Sequence, residues 1–404
     1  MIKTLNRFVS LLLFLFVAHD YKAQDTINNH PTNVYIEPAI MIGKIVPTKM
    51  PYPLSNGVSS CFIDVGFINK SANKYWVSYY NFPSTGVSFS STNLGNEHIF
   101  GNAISIAPFI QFKWARHTFK TSYFKFGIGS SYFTKHYNSR NNYDNVMIGS
   151  PFTWNFQIVG YRYIYTSNSM NLRAGIAYLH NSNGHIQLPN NGLNSAMFSL
   201  AAQVFTNKSY GNNLYSPDSF SIDHTRHSFL QIREGNGVQE FGGRNGPTGS
   251  TKKGVYTAAL SYGIIFNQQI KVRAGIAYRY YQHYYEYITQ APDTAFLKHS
   301  KWNASNVFAF IGFEFLVGRF SIDVEEGINI YKPFYPTFFN LYERGNKVDF
   351  FLKKWIPSRM GLDYYVINIK KKPRNNFFIG AYINANFGQA DFSELTVGFC
   401  HALK

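Results

Sequence analysis

The sequence predicts an all-β protein: a transmembrane antiparallel β-barrel of about 16 strands, with 12 or 14 also compatible. A single barrel is expected over residues 25–404, after a cleaved signal peptide at 1–24. Three observations carry this. Apolar and polar residues alternate with period two over barrel-length segments. Aromatic residues make up 18% of the chain and charged residues only 15%, where a soluble domain carries about a quarter charged. Past the N-terminal segment there is no run of about 18 apolar residues, so any crossing of a bilayer falls to strands.

The leader is read from Lys3 and Arg7, an apolar stretch from Phe8 to Ala18, and Ala23-Gln24 before Asp25. Asn33 to Ile45 is the first expected strand, Val58 to Asn69 the second, and Val87 to Ser91 lies in the third. The aromatic stretch from Lys74-Tyr75-Trp76 to Asn81-Phe82-Pro83 fits a short helix or an interfacial turn. Alternation then sharpens. Ile104, Ile106, Pro108, Ile110, Phe112 and Trp114 share one face, against Ser105, Ala107, Gln111 and Lys113, with Phe109 an exception. Phe124, Phe126 and Ile128 oppose Lys125, Gly127 and Gly129; Tyr256, Ala258, Leu260 and Tyr262 oppose Thr257, Ala259 and Ser261. Ile322, Val324 and Ile328 oppose Ser321, Asp323, Glu325 and Asn329. A soluble sandwich shares this period, but its apolar faces would not be so long or so aromatic on nearly every strand.

Short connections (166–169, 267–269, 318, 370–375) alternate with longer ones (46–57, 135–151, 184–192, 239–252, 287–300, 333–356) if a strand lies near Ser228 to Gln239. Outer-membrane barrels pair short periplasmic turns with long external loops in this way. The connections at 70–83 and 208–226 are long for inner turns. Arg173-Ala174-Gly175-Ile176-Ala177-Tyr178 recurs at Arg273 to Tyr278, too short an echo for a duplicated domain. Cys61 and Cys400 fall at opposite ends of their strands, which argues against a disulfide.

The formal charge of +17 fits either solvated loops or attraction to anionic phosphates at a membrane surface. A secreted barrel argues against nucleic acid as the partner. Asp223, His224 and His227 lack a fourth ligand for a metal, and no cofactor motif is present. Glu314, Asp323, Glu325 and Glu326 are expected to line the lumen or to pair with Arg and Lys there.

The chemistry concentrates between Leu172 and Val204. Leu172, Ala174, Ile176 and Tyr178 share a face with His180 and Ser182. Eleven residues at about 3.3 Å, tilted about 45°, rise roughly 25 Å, the height of an apolar belt. His180 and Ser182 thus stand at its rim, a base and a nucleophile where lipid esters sit. With residues 184–192 as the loop, Asn183 faces Leu193 and Asn194 lies opposite Ser182, diagonal to His180. A one-residue slip would move Asn194 to the other face. Gly184 leaves nearby backbone N–H groups open for an oxyanion. His185 reads as an exposed loop histidine.

His180-Asn181-Ser182-Asn183-Gly184 followed by Leu188-Pro189-Asn190-Asn191-Gly192-Leu193-Asn194 resembles the signature of the lipid A 3-O-deacylases, the outer-membrane acyloxyacyl hydrolases. Tyr75-Trp76, Asn93-Leu94-Gly95-Asn96, Tyr132-Phe133-Thr134-Lys135 and Ala385 to Phe392 resemble the longer Bacteroidetes-type version. The resemblance implies a Gram-negative outer-membrane barrel with its site on the lipid-facing wall. It implies removal of an ester-linked acyl chain from lipid A, or lipopolysaccharide, in the outer leaflet. Ser182 would be nucleophile, His180 base, and Asn183 and Gly184 the oxyanion donors, with no cofactor. Asn194 stands where the family has an acid; it can orient a histidine but supplies no charge. Two rivals remain: a non-catalytic barrel (pore or structural), and a general outer-membrane phospholipase or esterase.

Overall fold

The computed structural model describes residues 33–47, 52–69, 75–113, 122–206, 225–243, 251–291, 294–343 and 345–403. The expected leader, Asp223 and His224 lie outside them.

Sixteen strands are present among the described residues. β1 (Asn33–Val46), β2 (Val58–Ile68), β3 (Ser84–Asn93), β4 (Asn102–Lys113), β5 (Ser122–Phe133), β6 (Phe152–Thr166), β7 (Met170–Ser182) and β8 (Leu193–Phe205) pair in sequence order. β9 (Arg226–Glu240), β10 (Lys252–Phe266), β11 (Ile270–Tyr281), β12 (Ser305–Val317), β13 (Phe320–Tyr331), β14 (Pro357–Tyr365), β15 (Asn375–Asn386) and β16 (Gln389–Ala402) follow. α1 (Tyr75–Tyr79) takes up the aromatic stretch before β3. Between β11 and β12 run α2 (Gln282–Gln290), α3 (Thr294–Leu297) and α4 (Ser300–Asn303); between β13 and β14 run α5 (Tyr335–Phe338) and α6 (Lys347–Trp355).

The number of strands is as expected, but their closure is not. The strands form two closed antiparallel barrels of eight, not one cylinder over 25–404. β8 returns to β1, with Leu200 opposite Ile40 and Phe198 opposite Ile42. β16 returns to β9, with Phe399 opposite Ile232. The long connection expected at 208–226 joins these two closed sheets. The chain accordingly falls into two compact units, one built on each barrel, with residues 184–189 grouping with the second.

Both barrels are inside-out. On the first, Ile40, Ile42, Ile176, Phe198 and Leu200 are more than half exposed on the outer wall, while Glu37, Asp64, Lys125 and Arg173 are buried inside. An apolar exterior around a charged interior is a membrane-spanning barrel. Eight strands leave a lumen just wide enough for side chains, and here they fill it. In the first barrel Arg173 is salt-bridged to Glu37 and donates to Gln111 Oε1 at 2.9 Å, and Lys125 meets Asp64 at 2.5 Å. In the second, Arg273 reaches Asp323 at 2.5 Å, Glu325 at 2.7 Å and Glu314 at 3.3 Å. Arg233 joins Glu325 at 2.7 Å, and Lys271 joins Glu314 at 3.1 Å. Charges taken out of water persist because each finds a partner. Glu326 departs from the expectation: it is exposed on the outer wall beside Ile328, because parity along β13 sends only the odd residues from Ser321 to Glu325 inward.

The Arg-Ala-Gly-Ile-Ala-Tyr echo sits on β7 of the first barrel and β11 of the second, the seventh and third strands of their barrels. These are different places in the strand order, so the echo reflects a shared constraint, an arginine turned into a crowded lumen. Cys61 and Cys400 are free thiols.

Candidate active site on the first barrel

β7 alternates as its sequence requires. Arg173, Ala177, Leu179 and Asn181 are buried inward, and Ile176, Tyr178 and His180 belong to the outer set. β8 brings Asn194 to the same wall. The register puts Asn194 directly opposite His180, with Leu193 opposite Asn181. This corrects the expected pairing of Asn194 with Ser182 by two residues. A shift of two preserves the face, so the His–Asn contact survives and becomes closer.

His180 Nδ1 lies 2.5 Å from Asn194 Oδ1. The same oxygen accepts from the Tyr178 hydroxyl at 2.9 Å. An oxygen that accepts twice fixes the orientation of the Asn194 amide and makes Nδ1 the protonated nitrogen of a neutral ring. Nε2 is then the nitrogen with a lone pair, as a general base requires. The Phe156 ring lies 5.8 Å from the imidazole, and Trp154 stacks on Phe156 at 6.3 Å. Gly192 closes the other side: a Cβ there would stand 3.1 Å from His180 Cε1, and its φ of +71° is one that side chains resist.

Ser182 ends β7, opposite Trp154 of β6 and buried. Two strand residues span about 6 to 7 Å, which sets the backbone separation of Ser182 from His180. The Asn190 amide donates to Ser182 Oγ at 3.0 Å, and Asn190 Oδ1 accepts from the Asn183 N–H at 3.1 Å. Asn190, Tyr178 and Gly192 belong to the sequence pattern, but the pattern assigned them no part in the site. Tyr178 was legible, since it shares the parity of His180. Asn190 was not separable from Asn191 before the loop was folded.

Gly184 and His185 adopt left-handed backbone, φ +64° and +66°. A Cβ on Gly184 would come within 2.1 Å of Ser393 Oγ, so glycine is demanded there by packing alone. His185 is buried, contrary to the exposed loop residue expected. Its carbonyl accepts from the Glu240 N–H at 3.1 Å, and the Leu188 N–H donates to the Glu240 carboxylate at 2.7 Å. These bonds tie the segment to the end of β9, where the ring is out of solvent.

Residues 63–203 match the family model for lipid A 3-O-deacylase (PagL). A search of curated proteins finds no significant match. Among solved structures, the outer-membrane enzyme PagL aligns at 14% identity and a TM-score of 0.30, covering 41% of this chain and 97% of that one. Outer membrane phospholipase A from Escherichia coli aligns at 10% identity and 0.18, covering 93% and 98%. CdiB from Acinetobacter baumannii aligns at 9% and 0.17, covering 92% and 60%. The matched segment runs from β2 to β8, so the first barrel is PagL-like, and the chain is an outer-membrane barrel protein of a Gram-negative cell.

Proposed function

We propose that the first barrel hydrolyses an ester-linked acyl chain on lipid A, with water as the acceptor. The observation that carries this is His180 held through Nδ1 by Asn194 on the outer wall, within the segment that matches the deacylase family. Below the pair lies an oily platform of Ile176, Phe198 and Ile42, adjacent on three neighbouring strands and each more than half exposed. An acyl chain lies along this platform with its ester at His180.

His180 Nε2 takes the Ser182 proton as Oγ attacks the ester carbonyl. The Asn190 amide, which holds Oγ at rest, and the N–H groups of Asn183 and Gly184 are the donors for the oxyanion. His180 then returns the proton to the leaving sugar hydroxyl. Water, activated by the same nitrogen, releases the fatty acid and restores the serine. Because Ser182 is covered at rest, the Asn190 side chain shifts off Oγ and off the Asn183 N–H as the ester enters, and both donors turn to the oxyanion. Asn194 orients the imidazole without a full charge, so the rate falls below that of a site with a carboxylate.

A second reading, a barrel that has lost activity, is favoured by that same asparagine. Ser182→Ala decides between them. The full chain and the variant are reconstituted with lipid A and phospholipid side by side, and both lipids are weighed by mass spectrometry. Loss of one acyl chain from lipid A with the full chain and not with the variant supports the deacylase. Identical patterns refute it, and release from phospholipid alone points to a phospholipase.

A further inference from the structure

In the second barrel, the connection from β13 to β14 carries a helix whose two sides are unlike. α6 starts from Asn346, whose side chain accepts from the Asp349 N–H at 2.8 Å. One side of α6 is tied to the barrel end. The Lys354 carbonyl accepts from Asn329 Nδ2 at 2.7 Å, and the Lys353 carbonyl from Lys332 Nζ at 2.9 Å. Lys353 Nζ donates to Glu343 at 2.6 Å, and the Phe350 ring packs 5.1 Å from Phe339. The other side is an apolar stripe: Val348, Phe351 and Trp355, spaced i, i+3, i+7, are 65%, 59% and 37% exposed.

A hydrogen bond sets the height of the C-terminal end of this stripe. The Lys354 carbonyl is held by Asn329 Nδ2, so Trp355, the next residue, stands near the level of Asn329. Ile328 and Ile330 flank Asn329 on the outer wall, both 64% exposed. Tyr331, next along, stacks on Trp302 at 5.1 Å, and Trp302 on Tyr278 at 6.2 Å. Trp355 is therefore level with the border between the lipid-facing belt and its aromatic girdle. Cations accompany it. Lys347 is exposed, and the Lys354 ammonium lies 5.5 Å from the Trp355 ring.

We propose that α6 is an interfacial anchor for a phosphate-bearing lipid surface. Val348, Phe351 and Trp355 insert at the acyl border, and Lys347 and Lys354 hold lipid phosphates. Lipid, and not a second copy of the chain, is the occupant because the Trp355 end of the stripe stands at the level of the exposed Ile328 and Ile330 and the stripe is flanked by cations.

The test uses the full chain in phosphatidylcholine vesicles, with or without lipid A, some brominated at shallow acyl positions. The Trp355 signal is the difference between the full chain and Trp355→Phe. The expected result is loss of most of that signal in brominated vesicles and little quenching by aqueous iodide. Val348→Asp with Phe351→Asp reverses both, while heat-modifiable gel mobility stays that of a folded barrel. Lipid A increases the bromolipid quenching, and Lys347→Glu with Lys354→Glu abolishes that increase. Ready quenching by iodide without quenching by bromolipid overturns the proposal. So does protection from both quenchers in a cross-linkable dimer, or an equal response with and without lipid A. No readout depends on fatty-acid release, so failure here leaves the hydrolase reading untouched.

Discussion

Asn194→Asp is the sharpest perturbation of the site. It exchanges an amide for an isosteric carboxylate opposite His180 Nδ1, across a 2.5 Å contact that is half-buried and also receives the Tyr178 hydroxyl. As Ser182 loses its proton the imidazole becomes positive. An amide oxygen then accepts from a charged donor, a bond worth about 1.5–3 kcal/mol, and a carboxylate adds to it the attraction of opposite charges. The difference, discounted for partial exposure, is about 1 kcal/mol, or roughly a fivefold gain in rate. Asn194→Ala removes the orienting bond altogether and costs about 2–3 kcal/mol, roughly 30- to 150-fold. The assay is the initial rate of fatty-acid release from lipid A by each reconstituted protein, with gel mobility confirming a folded barrel. An Asp variant no faster than the parent, or an Ala variant as fast, refutes the role given to the His180–Asn194 contact.

Gly192→Ala puts a methyl about where His180 Cε1 approaches, at a φ of +71°. The expected outcome is a loss of more than about tenfold in deacylation with the barrel still folded, read from the same lipid A assay. Arg273→Met strips Glu314, Asp323 and Glu325 of a shared guanidinium. Lys271 still touches Glu314, Arg233 still touches Glu325, and Arg359 of β14 lies 3.4 Å from Glu325 and 3.6 Å from Asp323; the expected cost is therefore about 3 kcal/mol, measured by urea titration of the refolded protein. His283 in α2 is a third probe. Burial beneath Phe241, whose ring stacks at 5.2 Å, holds its imidazole down to about 4. A base depressed in the folded state favours folding most above its free value of about 6.5. That contribution is lost as pH falls from there toward 4. Hydrogen exchange of α2, corrected for intrinsic rates, should rise across this window, and His283→Phe should flatten it.

The sequence alone determined which residues face lipid and which face the lumen. Strict alternation obliges Ile176, Tyr178 and His180 to share one wall and Arg173 and Asn181 the other, whatever the strand pairs with. It also pointed to about 16 strands, with 12 or 14 left open, since turn chemistry and segment length bound each strand only loosely. The same logic made the co-facial His180 and Asn194 legible, because even a register shift of two left them on one side.

What tertiary structure decided was closure, register and the loop. A strand edge offers the same row of N–H and C=O groups to any neighbour, so nothing in the period of β8 said that it would meet β1 instead of β9. Two filled lumens, each with its own ion-pair network, replaced the one wide cylinder that alternation would equally allow. Asn190 on Ser182 and Gly192 against His180 arise from the path of a loop, where no periodicity links sequence to position. Pattern fixes the side of a wall, and only long-range contacts fix which walls are joined.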